Sequence, residues 1–477
     1  MALILTSRQI KKLDQTLAEK GLLEVTVENA GRSVAEALHR SHAQARVLVV
    51  AGKGFNGADA LVAARHLLTL GHEIRVLVHP EAHPDSLQKL QVFAHTTPLN
   101  NEQLRLNLPQ VDVVLEGLLG TGFRPPLSLE YASWIELLNA SRKPVLSIDL
   151  PSGVQADVPV LPELAVRATR TLALGGFKPC HLFEPASEWA GEVELLSIGV
   201  PGQYTHQFTS THTMEAYEVR QWLPRRNQSA HKGSAGEVWV LGGKSGMTGC
   251  VALTALAALR TGSGLVRYSS IVPIDGAPLE AIGHALKDWQ EVQNLPFKGA
   301  VALGMGLGEQ AAEVADWVLK KHIPTVIDAD ALQTSLRGKG HEWAVFTPHP
   351  GEAARMLETD TAEVLADPLT TVKALQKQYG GVVVLKGGPT VTATKQTTWV
   401  NTTGNPGMAS AGMGDTLAGI IASLLGQGLS AKHAALSGVY LHGLAGDLCF
   451  KHHHYGLQAS DVSRHLGTAW HTLIHGD

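Results

Sequence analysis

Short apolar runs alternate with longer stretches in which apolar residues recur at helical spacing. In the first half of the chain, the apolar runs cover residues 47–50, 74–78, 111–115 and 145–148. In the second half, they cover residues 238–241, 265–268, 301–303, 326–327 and 382–385. Uninterrupted apolar strands that alternate with helices are typical of parallel sheets covered by helices on both faces. The pattern therefore predicts an α/β protein.

A polar segment without apolar periodicity, residues 202–212, separates the two sets of runs. At roughly 150 residues per domain, a chain of this length has room for two or three domains. We predict two α/β domains, residues 1–212 and residues 213–477.

Composition and charge restrict the class of protein further. The chain has 477 residues, 44% of them hydrophobic, and a net charge of -4. This composition excludes disorder as the main state, and the lack of a basic excess argues against nucleic acid as a partner. Three widely separated cysteines, no secretory signal and no apolar segment of about 20 residues predict a cytoplasmic protein that does not enter the membrane.

A glycine-rich segment, GKGFNG at residues 52–57, follows the first apolar run. It matches the G-x-G-x-x-G fingerprint of dinucleotide-binding loops, which is a weak signal by itself. The acidic residue that usually holds a ribose at the end of the next strand is missing, because that strand ends at Val78, His79 and Pro80. The segment is expected to bind a phosphate-bearing ligand at a helix N-terminus, or to serve only close packing of strand and helix.

Two more segments follow predicted strands, EGLLGTG at residues 116–122 and DLPSG at residues 149–153. All three segments lie at the carboxyl ends of parallel strands, where open α/β sheets bind ligands. Asp149 alone could be a helix cap. Three converging loops instead favour a binding site.

These motifs, with ENAG at residues 28–31 and Lys178-Pro179, resemble the NAD(P)H-hydrate epimerase domain over roughly residues 5–200. The resemblance implies a three-layer α/β/α Rossmann-like fold. It implies that Asp149 and Lys178 move protons at the hydrated carbon, although a structural ion pair is the alternative. It implies a potassium ion held by Asn56, Glu116 and Ser152. The implied substrate contacts are Asn56, Gly57, Ala58, Asp59, Gly120, Thr121, Gly122, Phe123 and Arg124.

The segment departs from the family pattern at Phe55, Ala58 and Ala60, and Glu116 stands where the family has aspartate. If position 58 required a positive φ, alanine there would cost about 1 kcal/mol. Extra methyl groups would also obstruct a phosphate, and Glu116 shifts its carboxylate by one methylene. These departures predict an epimerase that is weakened or inactive, in a domain with an intact fold.

A second glycine-rich segment, NPGMASAGMGD at residues 405–415, precedes a long apolar stretch. Small residues allow backbone N–H groups to face an anion, and a following helix places its positive end there. Asp415 would lie in the first helical turn. It is either a helix cap that contributes about 1 kcal/mol, or a base beside an anion hole.

Further motifs accompany this segment: HKG at residues 231–233, LGGKSGMTG at 241–249, GMGLG at 304–308, DADAL at 328–332, TPHPGE at 347–352 and KGGPT at 386–390. Together they resemble the NAD(P)H-hydrate dehydratase domain, a ribokinase-like fold, over roughly residues 215–475. The resemblance implies that Asp415 takes a proton from the substrate hydroxyl. The implied nucleotide contacts are Lys386, Gly387, Gly388, Pro389, Thr390, Gly412, Met413 and Gly414. The implied contacts to the hydrated nicotinamide are Gly306, Gly308 and His349; for His349 a hydrogen-bonded turn histidine is the alternative.

The resemblances together imply a fused lyase and isomerase that repairs hydrated NADH and NADPH with ADP or ATP and Mg²⁺. The alternative is a small-molecule kinase of the ribokinase superfamily whose N-terminal half is a noncatalytic assembly module. Apolar helical faces near the N-terminus are consistent with a homo-oligomer.

Overall fold

The computed structural model describes residues 2–476, which divide into two compact units between Ser210 and Thr211. The division lies two residues before the boundary predicted from the polar segment. Each unit is built around its own sheet. None of the helices within residues 2–476 is long and apolar enough to cross a membrane.

The first unit alternates helices with parallel strands. Its helices are α1 (Ser7–Glu19), α2 (Leu23–Ser41), α3 (Phe55–Thr69), α4 (Pro84–Gln91), α5 (Asn101–Asn107), α6 (Leu129–Ala140), α7 (Pro179–Leu182) and α8 (Gly202–Thr205). Its strands are β1 (Arg46–Ala51), β2 (Glu73–Val78), β3 (Thr96–Pro98), β4 (Val113–Gly117), β5 (Val145–Ile148), β6 (Arg170–Leu174) and β7 (Glu192–Leu196). The sheet order is β3-β2-β1-β4-β5-β6-β7, and every pairing is parallel.

Strand β1 shows why this unit has three layers. Val47 and Val49 pack into a core with α2 and α3, whereas Leu48 and Val50 face the opposite core with α5 and α6. Side chains of a strand alternate between the faces, so a strand buried on both faces must be apolar throughout. The strand order reverses between β1 and β4, and such a switch point opens a crevice at the carboxyl ends of the strands.

The second unit contains the remaining elements. Its helices are α9 (Ala216–Trp222), α10 (Gly249–Arg260), α11 (Ala311–Leu319), α12 (Pro350–Leu357), α13 (Thr361–Ala366), α14 (Pro368–Tyr379), α15 (Met413–Gly426), α16 (Ala431–His453) and α17 (Ala459–His475). Its strands are β8 (Thr211–Thr213), β9 (Glu237–Leu241), β10 (Leu265–Ser270), β11 (Ile282–Ala285), β12 (Ala300–Leu303), β13 (Thr325–Ile327), β14 (Gly340–Phe346), β15 (Gly380–Leu385), β16 (Val391–Ala393) and β17 (Thr398–Val400).

The sheet of the second unit is only partly parallel, which corrects the prediction from the apolar runs. Its order is β11-β10-β9-β12-β13-β14-β15-β16-β17-β8, and β16 runs antiparallel to both of its neighbours. A tight turn between Thr394 and Thr397 joins β16 to β17. These strands are three residues long, too short to produce a recognisable apolar run. The strand order reverses between β9 and β12, which opens a second crevice at the carboxyl ends of these parallel strands.

Candidate active sites

The loops after β1 and β4 interlock through glycines. An added Cβ at Gly52 would collide with the Leu118 carbonyl group, and one at Gly57 would collide with the Gly52 carbonyl group. The packing explanation of the GKGFNG segment is therefore correct for these two glycines. Gly54, by contrast, faces open space, so a ligand could approach the backbone there.

The four predicted contact residues at 56–59 lie in the first turns of α3 rather than in a loop. Ala58 donates its backbone N–H to the Gly54 carbonyl in a helical arrangement, and its side chain is fully buried. It is not among the positive-φ residues. The strain expected at this position is therefore absent, because a helical φ suits alanine. The Phe55 side chain is half-exposed, and its ring lies 5.7 Å from that of His83.

Glu116 lies at the end of β4 and is fully buried. Its Oε1 accepts hydrogen bonds from the Ser152 hydroxyl (2.5 Å) and the Leu118 N–H (2.7 Å). Its Oε2 accepts them from the Ser147 hydroxyl (2.8 Å) and the Ser152 N–H (3.3 Å). Burial raises the pKa of this carboxyl, although the four donors oppose the shift.

The predicted potassium ligands do come together, since the Asn56 amide donates to the Leu119 carbonyl (2.8 Å) and the Ser152 hydroxyl accepts from the Leu119 N–H (2.7 Å). A carboxylate has about four lone-pair sites, and four donors fill those of Glu116. Glu116 therefore does not fit the role of a potassium ligand.

Asp149 and Lys178 form a buried ion pair. The same oxygen of Asp149 accepts the Leu174 N–H (3.0 Å), while the Lys178 ammonium also donates to the carbonyls of Leu174 (3.0 Å) and Gly176 (3.1 Å). Asp149 has a φ of 65°, in the left-handed region. It caps no helix, because the next regular element after β5 is a strand. The pair is thus anchored to the backbone at the carboxyl end of the sheet.

Two further carboxyl groups belong to this cluster. Burial, followed by the charge of Asp149, raises the pKa of Asp14 to about 6. Burial also raises the pKa of Asp59 well above its usual range, with contributions from Asp149 and Asp14. Asp59 was predicted from the sequence, whereas Asp14 was missed. Its signal was an aspartate on α1 between the buried residues Leu13 and Leu17.

The loop that contains Gly120, Thr121, Gly122, Phe123 and Arg124 lies beside Asn56, because an added Cβ at Gly120 would be 3.3 Å from the Asn56 Cβ. The guanidinium of Arg124 donates to the Ser7 hydroxyl (2.8 Å) and the Thr121 carbonyl (3.1 Å). It also lies 3.8 Å from the Asp157 carboxylate. More than half of the side chain remains exposed and accessible to an anion.

In the second unit, Gly412 has a φ of 88° and precedes α15, so that Met413 and Gly414 form the start of the helix. Asp415 lies in the first turn but makes no capping hydrogen bond, so the capping explanation is wrong. Its carboxylate has no hydrogen bond or ion pair in the part of the chain that the structure describes. Burial, followed by the negative charge of Asp328, raises the pKa of Asp415 to about 7.

Lys386, the first residue of the KGGPT motif, lies beside the start of α15. Its ammonium lies 2.6 Å from Asp328 Oδ1 and 3.7 Å from Glu352 Oε2. An added Cβ at Gly414 would lie 3.2 Å from the Lys386 Nζ. Burial alone would lower the pKa of Lys386, but the two carboxylates raise it. Asp328 and Glu352 were noted only as parts of motifs, and the structure adds them to the site.

The rest of the KGGPT motif forms a turn after β15. The Thr390 hydroxyl donates to the Gly387 carbonyl (3.0 Å), and the peptide bond between Gly388 and Pro389 is cis. The Lys386 N–H donates to the Pro348 carbonyl (2.8 Å), which places this turn beside the TPHPGE motif. Two of the predicted motifs therefore meet at one edge of the sheet.

His349 precedes α12 and caps it. Its Nδ1 accepts the N–H groups of Gly351 (3.0 Å) and Glu352 (3.3 Å), so the hydrogen-bonded turn is observed. Burial, followed by the charge of Lys386, lowers the pKa of the imidazole. The side chain is 56% exposed. The contact of His349 with the hydrated nicotinamide stays a prediction.

Gly306 and Gly308 both have left-handed backbones, with φ of 66° and 71°. The Gly308 N–H donates to Asp330 Oδ2 (2.8 Å). An added Cβ at Gly306 would lie 3.0 Å from the Met247 carbonyl oxygen and 3.3 Å from the Cys250 sulfur. The loop after β12 is therefore packed against the LGGKSGMTG segment, and both line the same crevice.

Asp447 on α16 supports the segment that leads to the anion hole, and sequence reasoning did not find it. Its carboxylate accepts the Gly404 N–H (3.0 Å) and the Asn405 side-chain amide (2.8 Å). Asn405 Oδ1 in turn accepts the Gly407 N–H (3.0 Å). Asp447 therefore connects the glycine-rich segment to a long buried helix.

Comparisons with known proteins identify a related family for each of the two units. The NAD(P)H-hydrate dehydratase family model matches residues 238–467, and the model of the YjeF-related protein N-terminus matches residues 23–180. The chain is 34% identical to the bifunctional NAD(P)H-hydrate repair enzyme Nnr of Moorella thermoacetica, over 93% of this chain and 92% of that protein. It is also 34% identical to the Escherichia coli enzyme of the same name, over 88% and 84%.

Among solved structures, the ADP/ATP-dependent NAD(P)H-hydrate dehydratase from Bacillus subtilis, co-crystallised with ATP and Mg²⁺, is 32% identical. The match covers 55% of this chain and 98% of that one, with a TM-score of 0.51. The ribokinase-like fold predicted for the second unit is confirmed.

Proposed function

The chain belongs to the family of bifunctional NAD(P)H-hydrate repair enzymes, and we propose that it restores hydrated NADH and NADPH in two steps. The second domain, from Thr211 onward, dehydrates the S-hydrate with an adenine nucleotide, and the first domain interconverts the R- and S-hydrates. The observation that carries this proposal is the unbonded Asp415 carboxylate, which lies at the start of α15 beside Gly414.

In the dehydratase step, Asp415 takes the proton from the substrate hydroxyl. Its pKa of about 7 suits a general base at neutral pH. The oxygen is phosphorylated by ADP or ATP, and phosphate then leaves together with a ring proton, which restores the reduced nicotinamide. Backbone N–H groups at the start of α15 and the Lys386 ammonium stabilise the transferred phosphoryl group, which is mainly an electrostatic task.

The residues at this crevice fit a nucleotide and its magnesium ion. Gly414 leaves room that a Cβ would fill against Lys386, and Asp328 Oδ2 has no hydrogen-bond partner in the described residues. Within residues 2–476, no group of three His, Cys, Asp or Glu side chains is placed to hold a metal. Magnesium is commonly held by one or two carboxylates together with substrate phosphates, and it would neutralise their charge. Asp328 is the carboxylate that would hold it.

In the epimerase step, the Asp149–Lys178 pair exchanges protons with the oxygen on the hydrated carbon, while Arg124 and the exposed end of the first glycine-rich segment bind the phosphates. The helical Ala58 removes the strain that was expected to weaken this activity. We therefore expect interconversion well above the spontaneous rate. The effects of Phe55 and of the longer Glu116 side chain stay predictions.

A small-molecule kinase with a noncatalytic N-terminal module is not favoured. The related repair enzymes match both units, whereas a kinase would leave the buried Asp149–Lys178 pair without a role. Self-association, a cytoplasmic location and the lack of nucleic acid and membrane partners stay predictions for this chain.

The experiment that tests the function uses the full chain, a mixture of R- and S-NADPH hydrates, ADP or ATP, and Mg²⁺. Recovery of NADPH is followed by its absorbance. Complete recovery at the enzymatic rate is expected, because epimerisation feeds the dehydratase. The matched variants are Asp415→Asn, which is expected to abolish recovery, and Asp149→Asn, which is expected to leave only the fast phase from the S-hydrate.

No recovery with either nucleotide would contradict the dehydratase assignment. A wild-type trace that stops after the S-hydrate is consumed would contradict the epimerase assignment alone. Recovery by Asp415→Asn at the wild-type rate would show that Asp415 is not the base.

A further inference from the structure

We propose that Phe55, Lys53 and Glu81 form the subsite for the adenosine end of the substrate in the epimerase domain. Phe55 lies under the adenine, and the two charged residues face the 2′ position of its ribose. This inference rests on the epimerase activity proposed above and deepens it, because it assigns how the domain distinguishes hydrated NADPH from hydrated NADH. It also gives a role to Phe55, one of the departures from the family pattern.

The subsite lies where the loops after β1 and β2 meet. The His79 N–H donates to the Ala51 carbonyl (2.9 Å), which joins the ends of the two strands. The Glu81 N–H donates to His79 Nδ1 (3.0 Å), which fixes the loop after β2. In open α/β sheets that bind dinucleotides, an acid at the end of this second strand accepts a hydrogen bond from the adenosine ribose. Glu81 is the first acidic residue after β2 and is therefore placed for that contact.

Phe55 offers an exposed aromatic surface beside this loop. It is the first residue of α3, and about half of its surface is exposed. Its ring lies 5.7 Å from that of His83 with the planes inclined by 38°, so the rings touch without covering each other. His83 is itself held in place, because its Nδ1 accepts the Ser86 N–H (3.4 Å) at the start of α4. Nucleobases stack on such rings, and the position of Phe55 suits the adenine.

Lys53 and Glu81 are paired only weakly. The Lys53 Nζ lies 4.0 Å from Glu81 Oε2, and more than half of each side chain is exposed. Exposed pairs of this kind contribute little to stability, so both groups are available to a ligand. A 2′-phosphate would bind the Lys53 ammonium and would be repelled by Glu81, whereas a 2′-hydroxyl would donate to the Glu81 carboxylate. The two residues therefore act in opposite directions on the choice between the hydrates.

The spacing of the strands fits a single extended dinucleotide. Asp149 follows β5, and β4 and β1 lie between β5 and β2 in the sheet. With neighbouring strands about 4.8 Å apart, Asp149 lies roughly 15 Å from the end of β2. A dinucleotide with its hydrated ring at Asp149 and Lys178 would pass its pyrophosphate by Arg124 and Gly54, where an added Cβ would contact none of the described residues. Its adenosine would then reach the loop after β2.

The test measures KM and kcat for interconversion of the R- and S-hydrates by the full chain, without nucleotide, so that the dehydratase is silent. Initial rates are followed by chromatography, with NADPH hydrate and with NADH hydrate. Phe55→Ala should raise KM about tenfold for both hydrates and leave kcat unchanged, because stacking on the adenine contributes to binding and not to the reaction. Phe55→Tyr keeps the ring and should retain the wild-type KM.

The charged residues are tested by the same measurement. Lys53→Gln should raise KM for NADPH hydrate about tenfold, the effect of losing one contact to a charged group, and should leave KM for NADH hydrate unchanged. Glu81→Gln should lower KM for NADPH hydrate and raise it for NADH hydrate. The ratio of the two kcat/KM values therefore moves in opposite directions in the two variants.

Phe93→Ala and Lys89→Gln are the matched controls, because they remove an exposed ring and an exposed ammonium from the same unit; both should behave as wild type. A Phe55→Ala enzyme with the wild-type KM, or with a loss in kcat alone, would overturn the adenine contact. Equal losses for both hydrates in Lys53→Gln would overturn the contact with the 2′-phosphate. Wild type that interconverts the epimers no faster than buffer would overturn both the subsite and the epimerase activity.

Discussion

The Lys386 ammonium lies 2.6 Å from Asp328 Oδ1, inside a crevice that also contains Glu352 and Asp415. One cation therefore serves three carboxylates, and Asp415 is the one that it does not contact directly. This imbalance has the same sign as that around Lys178 in the first unit. In both units a single lysine faces an excess of acidic groups.

Asp415→Asn is expected to abolish dehydration and to make the protein more stable at alkaline pH. The pKa of Asp415 is raised from 3.8 to about 7 in the folded state, so folding favours the protonated form and stability falls as pH rises through this range. Asparagine cannot ionise and avoids the penalty. The difference in unfolding free energy between variant and wild type should grow by roughly 2 kcal/mol from pH 5 to pH 8. Chemical denaturation at both pH values measures it.

Asp360→Asn is the control for this experiment, because Asp360 is exposed and makes no capping hydrogen bond. Its stability relative to wild type should be the same at both pH values. A constant difference for Asp415→Asn as well would contradict the raised pKa.

Asp447→Asn should lower kcat/KM for the nucleotide about tenfold, the equivalent of one hydrogen bond to a charged group. The substitution removes one of the two acceptors that hold Gly404 and Asn405, so the anion hole is less well positioned. Steady-state kinetics with varied nucleotide measure this loss. KM for the hydrate should change little, and Asp360→Asn should behave as wild type. An equal loss in both KM values would indicate general destabilisation instead.

Gly414→Ala should lower the rate of dehydration, whereas Gly467→Ala should raise the stability of the protein and leave the rate unchanged. A Cβ at Gly414 would lie 3.2 Å from the Lys386 Nζ and would push the lysine from its place, so dehydration should fall at least tenfold. Gly467 lies within α17 with open space around it, and alanine there should stabilise the protein by about 0.5–1 kcal/mol with full activity. Rates and thermal unfolding together check the pair, and a fully active Gly414→Ala would argue against close packing at the anion hole.

Glu116→Gln should destabilise the first unit by roughly 1–3 kcal/mol. Both oxygens of Glu116 accept hydrogen bonds, and a glutamine amide would direct its NH₂ group at two donors. The exposed substitution Glu102→Gln should have no effect. Since the Glu116 lone pairs are filled, unfolding and epimerisation should be equal in KCl and NaCl. A specific stabilisation by KCl would show instead that the ion displaces these donors.

The apolar runs determined where most central strands lie, because a strand buried on both faces must be apolar along its length. The glycine-rich segments located both crevices. Where two loops approach closely or the backbone is left-handed, glycine is required, and glycine is visible in the sequence. Gly52, Gly57 and Gly412 are examples. The motifs also identified the Asp149–Lys178 pair, Lys386 and Asp415, because the resemblance supplied their roles. No apolar run was assigned to β3, β6, β7, β8, β11, β14, β16 or β17. Four of these strands, β3, β8, β16 and β17, have only three residues, which are too few to show a periodicity.

What the tertiary structure alone decided was which polar groups meet and which remain unbonded. Asp447 becomes a support for the glycine-rich segment only when α16 passes under Gly404. Ala58 is unstrained because α3 begins before it, and Glu116 is occupied because Ser147 and Ser152 converge on it. Hydrogen-bond saturation and shared charge depend on distances between residues far apart in the chain, and no local pattern of side chains records those distances.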